Sequence, residues 1–303
     1  MDELLISQRI HYASCPLCGS AEIEQTLIVT DFTVSKERFP ITICHSCTAM
    51  FTQDIPDASS IGPYYKSEEY ISHTNTSKGL INRLYQSVRK RTIRQKRKLI
   101  ENVTGRKQGS LLDLGSGTGV FASAMQKYGW KVTGLEPDPD ARRVASEVNG
   151  IELEDTGRFY ELPDHSFDVI TLWHVLEHVH DLQGYMGKLK SLLKEKGRLC
   201  IAVPNYTSKD AAAYGEYWAA WDVPRHLYHF SPESMRRLVE KYGMQIEAYK
   251  PMWYDSFYVS MLSSKYKSGK TKLFESFFNG LRSNWNALSN VEHCSSVIYI
   301  ISN

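Results

Sequence analysis

The segment Leu111-Leu-Asp-Leu-Gly-Ser-Gly-Thr-Gly-Val-Phe-Ala122 constrains this chain more than any other. Leu111 to Leu114 reads as a buried strand, Gly115, Gly117 and Gly119 as a tight turn, and Val120 as the start of a helix. A glycine-rich strand-to-helix turn lets a ligand lie against bare backbone, over the N-terminus of a helix. Trp130 to Leu135 reads as a second strand and ends in Glu136. An acidic side chain there, about 20 residues past the glycines, is where a doubly wound sheet holds a ribose by its hydroxyls.

Dinucleotide sites use G-x-G-x-x-G, with a third glycine that permits close helix packing. This chain has G-x-G-x-G preceded by Asp113 on the strand. The pattern Asp-x-Gly-x-Gly-x-Gly resembles the first motif of class I S-adenosylmethionine-dependent methyltransferases. The resemblance implies an α/β fold: a Rossmann-like, doubly wound, seven-stranded sheet. It implies S-adenosylmethionine as cofactor, with Asp113 and the glycine backbone on its methionine portion and Glu136 on the ribose. The cofactor residues it gives are Asp113, Gly115, Ser116, Gly117, Gly119, Glu136, Pro137, Phe159 and Trp173. Many relatives carry an Asp near the adenine, where this chain has Arg158 followed by Phe159 and Tyr160. An aromatic face near Phe159 is therefore expected there. Further along, Ser166–Trp173 and Gly197–Asn205 read as the fourth and fifth strands, with a helix over Leu182–Leu193 between them. Ser231 caps a helix that Gly243 ends, Met244–Tyr249 is a sixth strand, and Ser296–Ile301 is the last, inserted antiparallel beside the sixth.

The chain has 303 residues, 42% of them apolar, enough for one large domain and a small one. No apolar run reaches the roughly 18 residues of a membrane span. The N-terminus has no basic segment leading into an apolar stretch, so a cytoplasmic location is expected. The net charge of +2 hides an asymmetry: residues 78–98 hold nine Lys or Arg and no acid, leaving −7 on the remainder. Ile81, Leu84, Tyr85, Val88 and Ile93 fall near helical spacing, so this block reads as an amphipathic helix. RNA, an acidic membrane surface, a phosphorylated substrate and a plain solvated face all fit it; the last two are favoured over nucleic acid.

Cys15-Pro-Leu-Cys18 and Cys44-His-Ser-Cys47 are separated by 25 residues. Two C-x-x-C knuckles at such spacing signal a four-thiolate zinc site, favoured over two disulfides in a reducing compartment. With strands over 22–31 and 38–43 this is a zinc ribbon. Four thiolates leave no open position, so Cys15, Cys18, Cys44 and Cys47 read as a structural Zn2+ site. The organisation expected is a ribbon over 1–55, a linker with the basic helix over 56–104, and a methyltransferase domain over 105–303 with a helical cap near 251–290. Tyr64, Tyr65, Tyr70 and His73 stand ahead of the core as a lid or as a hinge between domains.

In such a sheet the chemistry sits at the carboxyl ends of the strands. His174, His178 and His226 are the candidates for a base, needed only where the acceptor must lose a proton. His174-x-x-Glu177-His178 also resembles the Glu-x-x-Glu-His segment of quinone-precursor and small-RNA 2′-O-methyltransferases. There the side chains bind a divalent metal, and His226 or His229 would complete the set. Glu-His also occurs in relatives with no metal. The chain lacks the Asp/Asn-Pro-Pro-aromatic run of base N-methyltransferases. The stretch from Pro224 to Pro232 resembles enzymes of polysaccharide, sugar and lipid modification; Arg225 either pairs with an anionic substrate or forms an internal salt bridge. The expected activity is transfer of a methyl group to oxygen or carbon of a small-molecule, sugar or lipid/glycan-type acceptor. The rivals are an rRNA methyltransferase with an RNA-binding ribbon and a non-enzymatic, cofactor-binding assembly protein.

Overall fold

A computed structural model describes residues 9–66 and 80–303. Tyr70 and His73 lie outside the described residues. In chain order the N-terminal strands are β1 (Arg9–Ile10), β2 (Ile23–Thr30), β3 (Arg38–Cys44), β4 (Met50–Thr52) and β5 (Ile55–Pro56). The basic block forms α1 (Leu80–Thr104). Alternation then begins: β6 (Ser110–Leu114), α2 (Val120–Lys127), β7 (Lys131–Leu135), α3 (Pro139–Asn149), β8 (Phe167–Trp173), α4 (Leu182–Leu192), β9 (Leu193–Pro204). It continues through α5 (Lys209–Tyr214), β10 (Tyr228–His229), α6 (Pro232–Lys241), β11 (Gln245–Pro251), α7 (Asp255–Ser268), α8 (Leu273–Ser289) and β12 (Ser296–Ser302).

The large sheet has the order β11-β12-β9-β8-β6-β7. Strands β9, β8, β6 and β7 run parallel, and β12 is inserted antiparallel between β9 and β11. Both faces are covered, as the continuous apolar runs of its strands demand. Leu112, Leu114, Ile170, Leu172, Leu199 and Ile201 share one buried cluster with Met186 and Leu189 of α4 and Leu238 of α6. The alternate residues Leu111, Val169, Cys200 and Ala202 pack with Ile100 of α1 and Phe121 of α2. The sheet departs from the expected seven strands. Only Glu154 reaches the edge of β7, in a single bridge to Leu135, before Asp155 caps a short turn. Six strands are formed among the described residues.

The cysteine-bearing segment is completed by the rest of the chain. Its sheet has the order β10-β4-β3-β2, so a strand from residues 228–229 closes its edge. Gln183 Nε2 donates to the carbonyls of Pro16 and Leu17, and Thr52 Oγ1 donates to the carbonyl of His226 at 2.7 Å. Arg225 is buried and its guanidinium meets Asp222 at 2.6 Å and Asp31, at the end of β2, at 3.1 Å. This settles the choice left open for Arg225: it is an internal ion pair. Two desolvated carboxylates around one guanidinium offset its burial, and removing one leaves a costly residue of charge. Asp31→Asn is expected to lower the unfolding free energy by roughly 2–3 kcal/mol, seen as a lower urea midpoint. An unchanged midpoint would contradict this role.

Candidate functional site

The glycine turn between β6 and α2 has three left-handed residues, Gly115, Gly117 and Gly119 (φ 65°, 54° and 72°). A Cβ on Gly115 would lie 2.4 Å from Val175, and one on Gly119 2.7 Å from Ile151; at Gly117 nothing lies within 4 Å. Two glycines therefore permit close packing and the middle one borders open space. Glu136, at the end of β7, is buried. One of its oxygens accepts the Gly117 N–H at 2.7 Å and the other the Asp138 N–H at 3.0 Å. Burial raises its pKa despite those bonds. Each oxygen keeps a lone pair for a ribose hydroxyl. Asp113 is buried and accepts from Thr171 Oγ1 at 2.6 Å. Burial pushes it up to about 6, against the Thr171 hydroxyl and the charge of Lys96.

Lys96 is a site residue that the sequence hid inside a charge run. On α1 it turns inward, with Nζ 4.1 Å from the centre of the Trp173 ring and 5.8 Å from that of Phe121. Burial lowers it to about 8, against Asp113 and Asp255. Arg89 of the same helix reaches Thr118 Oγ1 in the glycine turn at 3.5 Å. Trp173 lies edge-on to Phe121, with Lys96 over its ring. Pro137 is exposed, and its carbonyl accepts from Arg142. Ser116 Oγ donates to the Asp113 carbonyl at 2.8 Å. Phe159 departs from expectation. It is buried in the core, stacked on Tyr185 at 4.2 Å, and offers no open face to an adenine.

The three histidines divide by environment. His174 has φ 59°, and its two ring nitrogens face Glu177 at 3.2 Å and Asp255 at 2.7 Å. Burial alone would lower its pKa, but the two carboxylates, Asp255 foremost, hold it at about 10. His174 is therefore an imidazolium, and this corrects its place among the candidate bases. His178 is driven the other way, to about 4, by burial and by His226. Its Nδ1 lies 2.9 Å from the Arg225 carbonyl and 3.1 Å from Tyr65 Oη. Nδ1 of His226 lies 2.8 Å from the Ala220 carbonyl. A carbonyl only accepts, so each Nδ1 carries a proton, and His178, kept neutral by burial, retains a lone pair on Nε2. The rings cross edge to face with centres 4.6 Å apart. His229 instead packs in the core on Thr52.

Glu177, His178 and His226 each place one ligand atom within 4.8 Å of the others'. Glu177 is fully buried, and its Oε2 has no hydrogen-bond partner among the described residues. The four knuckle cysteines form the other such cluster among the described residues: Sγ of Cys15 and Cys47 are 3.6 Å apart, those of Cys18 and Cys44 3.5 Å, all four within 4.8 Å. Tetrahedral Zn–S bonds of about 2.3 Å set sulfurs about 3.8 Å apart, so the cluster fits such an ion. Of the expected lid, Tyr65 reaches His178, whereas Tyr64 bonds Glu37.

A family model described as a methyltransferase domain matches residues 85–249. A ubiquinone biosynthesis O-methyltransferase from a Methylobacterium species is 28% identical over 150 residues, 45% of this chain and 60% of that protein. Another, from Xanthomonas axonopodis pv. citri, is 28% identical over 160 residues, 48% of this chain and 66% of its own length. The chain thus spans less than two thirds of these relatives. A solved methyltransferase from Archaeoglobus fulgidus superposes with a TM-score of 0.45 at 18% identity, covering 70% of this chain and 93% of its own.

The His174 ion pairs give a pH signature. A group whose folded pKa is raised adds stability that is complete below its unfolded value, 6.5, and lost as pH rises through the folded value, about 10. The gap in unfolding free energy between the wild type and Asp255→Asn should therefore be full near about pH 6 and shrink toward pH 10. A gap that stays constant across that range would contradict the assignment.

Proposed function

Because the chain belongs to the methyltransferase-domain family, we propose that it uses S-adenosylmethionine to methylate oxygen or carbon of a small-molecule or glycan-type acceptor. The observation that carries this reading is the open space before Gly117, bordered by the buried Glu136 and joined to the strand that bears Asp113. When bound, the cofactor supplies an electrophilic methyl group on a sulfonium. Glu136 would accept its ribose hydroxyls. Lys96 lies over the Trp173 ring and feels the charge of Asp113, and it suits the methionine carboxylate. Trp173 and Phe121 give the sulfonium an aromatic, water-poor wall.

The acceptor would meet His178, His226 and Glu177. In-line placement and exclusion of water supply most of the acceleration in such a transfer. The lone pair of His178 Nε2 would take a hydrogen bond from an acceptor hydroxyl and receive its proton as that oxygen gains the methyl group and sulfur keeps the electron pair of the broken bond. Burial and the neighbouring His226 keep this ring neutral, so its Nε2 is free to accept. His174, already protonated, orients Glu177 and balances its charge. The curated relatives named above are O-methyltransferases, which agrees with oxygen as the atom modified.

The test is transfer of label from methyl-labelled S-adenosylmethionine into cell extract split into RNA, lipid-glycan and small-molecule fractions. Label should appear in a small-molecule or lipid-glycan fraction and vanish with Gly117→Arg, which fills the open space. Label confined to RNA would overturn this reading in favour of an rRNA methyltransferase.

Zinc at the four cysteines belongs to the same proposal. Thiols packed this closely cannot all ionise without a cation among them, and a zinc ion would add its binding energy to folding. A second reading for Glu177, His178 and His226 is a divalent metal with an open position, favoured by the unpartnered Oε2 and the two carbonyl-tethered Nδ1 atoms. Elemental analysis of the purified protein separates the cases. One zinc per chain, reduced by Cys18→Ser, is expected from the cysteines. A further metal lost only in His226→Ala would establish the second reading, and absence of zinc would contradict the first.

A further inference from the structure

The second helix of the α7–α8 hairpin turns an apolar face outward. A surface helix normally buries its apolar stripe and turns polar groups to water. Here α8 buries Gly280, Ser283 and Ala287 and exposes Phe274, Phe278, Leu281 and Trp285, which share one face at helical spacing. Phe274 is 85% exposed and Trp285 74%. Helix α7 buries Ser256, Ser260 and Ser263 beside Val259 and Leu262, while Tyr258 and Met261 face out.

The inward face is held by close approach and hydrogen bonds. A Cβ on Gly280 would lie 2.7 Å from the Phe257 ring. Ser283 Oγ donates to Asp210 at 2.9 Å, and Asn284 Nδ2 donates to the Trp253 carbonyl at 2.8 Å. These bonds fix which side faces in and leave Phe274 and Trp285 exposed on the other. A contiguous apolar face of this kind marks a contact with something apolar.

Charge selects the occupant. Lys267 and Lys270 stand exposed at the end of α7 and in the turn into α8, in a stretch with no acid between Asp255 and Glu275. A second copy packed on the same face would bring this cationic turn toward its own like. A layer of anionic lipid headgroups over hydrocarbon answers both features at once. Trp and Tyr rings, apolar with one polar edge, settle at that boundary. No described helix is long and apolar enough to cross a membrane, so the hairpin would lie in the interface plane. We propose that the outward face of the α7–α8 hairpin docks this protein on an anionic lipid bilayer surface. The hairpin starts at Asp255, the carboxylate that holds His174, so docking and the candidate acceptor site share one element. The docking does not rest on the transfer reaction, and its test needs no acceptor.

The full chain is mixed with vesicles of phosphatidylcholine alone or with about 40% phosphatidylglycerol, and the bound fraction is read by flotation. Binding to the anionic vesicles is expected to be at least about ten-fold tighter than to neutral ones and to weaken with salt. The double variant Phe274→Ser/Trp285→Ser should lose it, and Lys267→Glu/Lys270→Glu should weaken it, with wild-type circular dichroism in both. These positions are exposed, so the fold does not depend on them. Failure to bind anionic vesicles, or binding unchanged in both variants, would overturn the proposal. So would a concentration-dependent dimer that Trp285→Ser abolishes in a protein that ignores vesicles.

Discussion

One buried guanidinium ties the two halves of this protein together. Arg225 bonds Asp31 of the cysteine-bearing sheet with the same group that bonds Asp222 of its own loop, and it donates to the Tyr64 carbonyl as well. The loop it anchors then sets the histidines. The Arg225 carbonyl fixes the tautomer of His178, and the Ala220 carbonyl that of His226. Thr52 of β4 steadies the same loop through the His226 carbonyl. A ribbon that looks like an appendage in the sequence thus braces the loop that carries His226 of the proposed acceptor site. A metal that folds the ribbon would act on that site through Arg225 and β10 and need not touch substrate.

The second organising feature is a separation of charge at the strand ends. His174, Asp255, Glu177, Lys96 and Asp113 form a partly buried set of opposite charges. Burial pushes each toward neutrality, and the neighbours decide the outcome. His174 has two carboxylates and stays charged, whereas His178, beside another histidine, stays neutral. Two residues four apart in sequence therefore take opposite roles, as groups in one site do when their surroundings push their pKa values apart.

Much of this was legible in the sequence. The glycine turn, Glu136, the order of strands and the two C-x-x-C pairs all come from short, local patterns that carry their own geometry. Four features were not legible. Lys96 lies among nine cations with nothing local to mark it, and only the packing of α1 on β8 turns it toward Trp173. Asp255 becomes a partner of His174 through a contact 81 positions away in the chain. The pairing of β4 with β10 joins residues 50–51 to 228–229, which no periodicity foretells. Phe159 stands at the expected place in the chain, but its short turn rotates the ring into the core. Local pattern fixes the turn, and side-chain facing within it depends on long-range packing.

The central claim is that the end of the sheet between Gly117 and Glu136 is a cofactor site. Calorimetric titration of the wild type with S-adenosylhomocysteine tests it without knowledge of the acceptor. The account predicts one site per chain, with affinity reduced at least about ten-fold by Glu136→Ala in a variant that still folds. No binding to the folded wild type, or equal affinity in the two proteins, would contradict it.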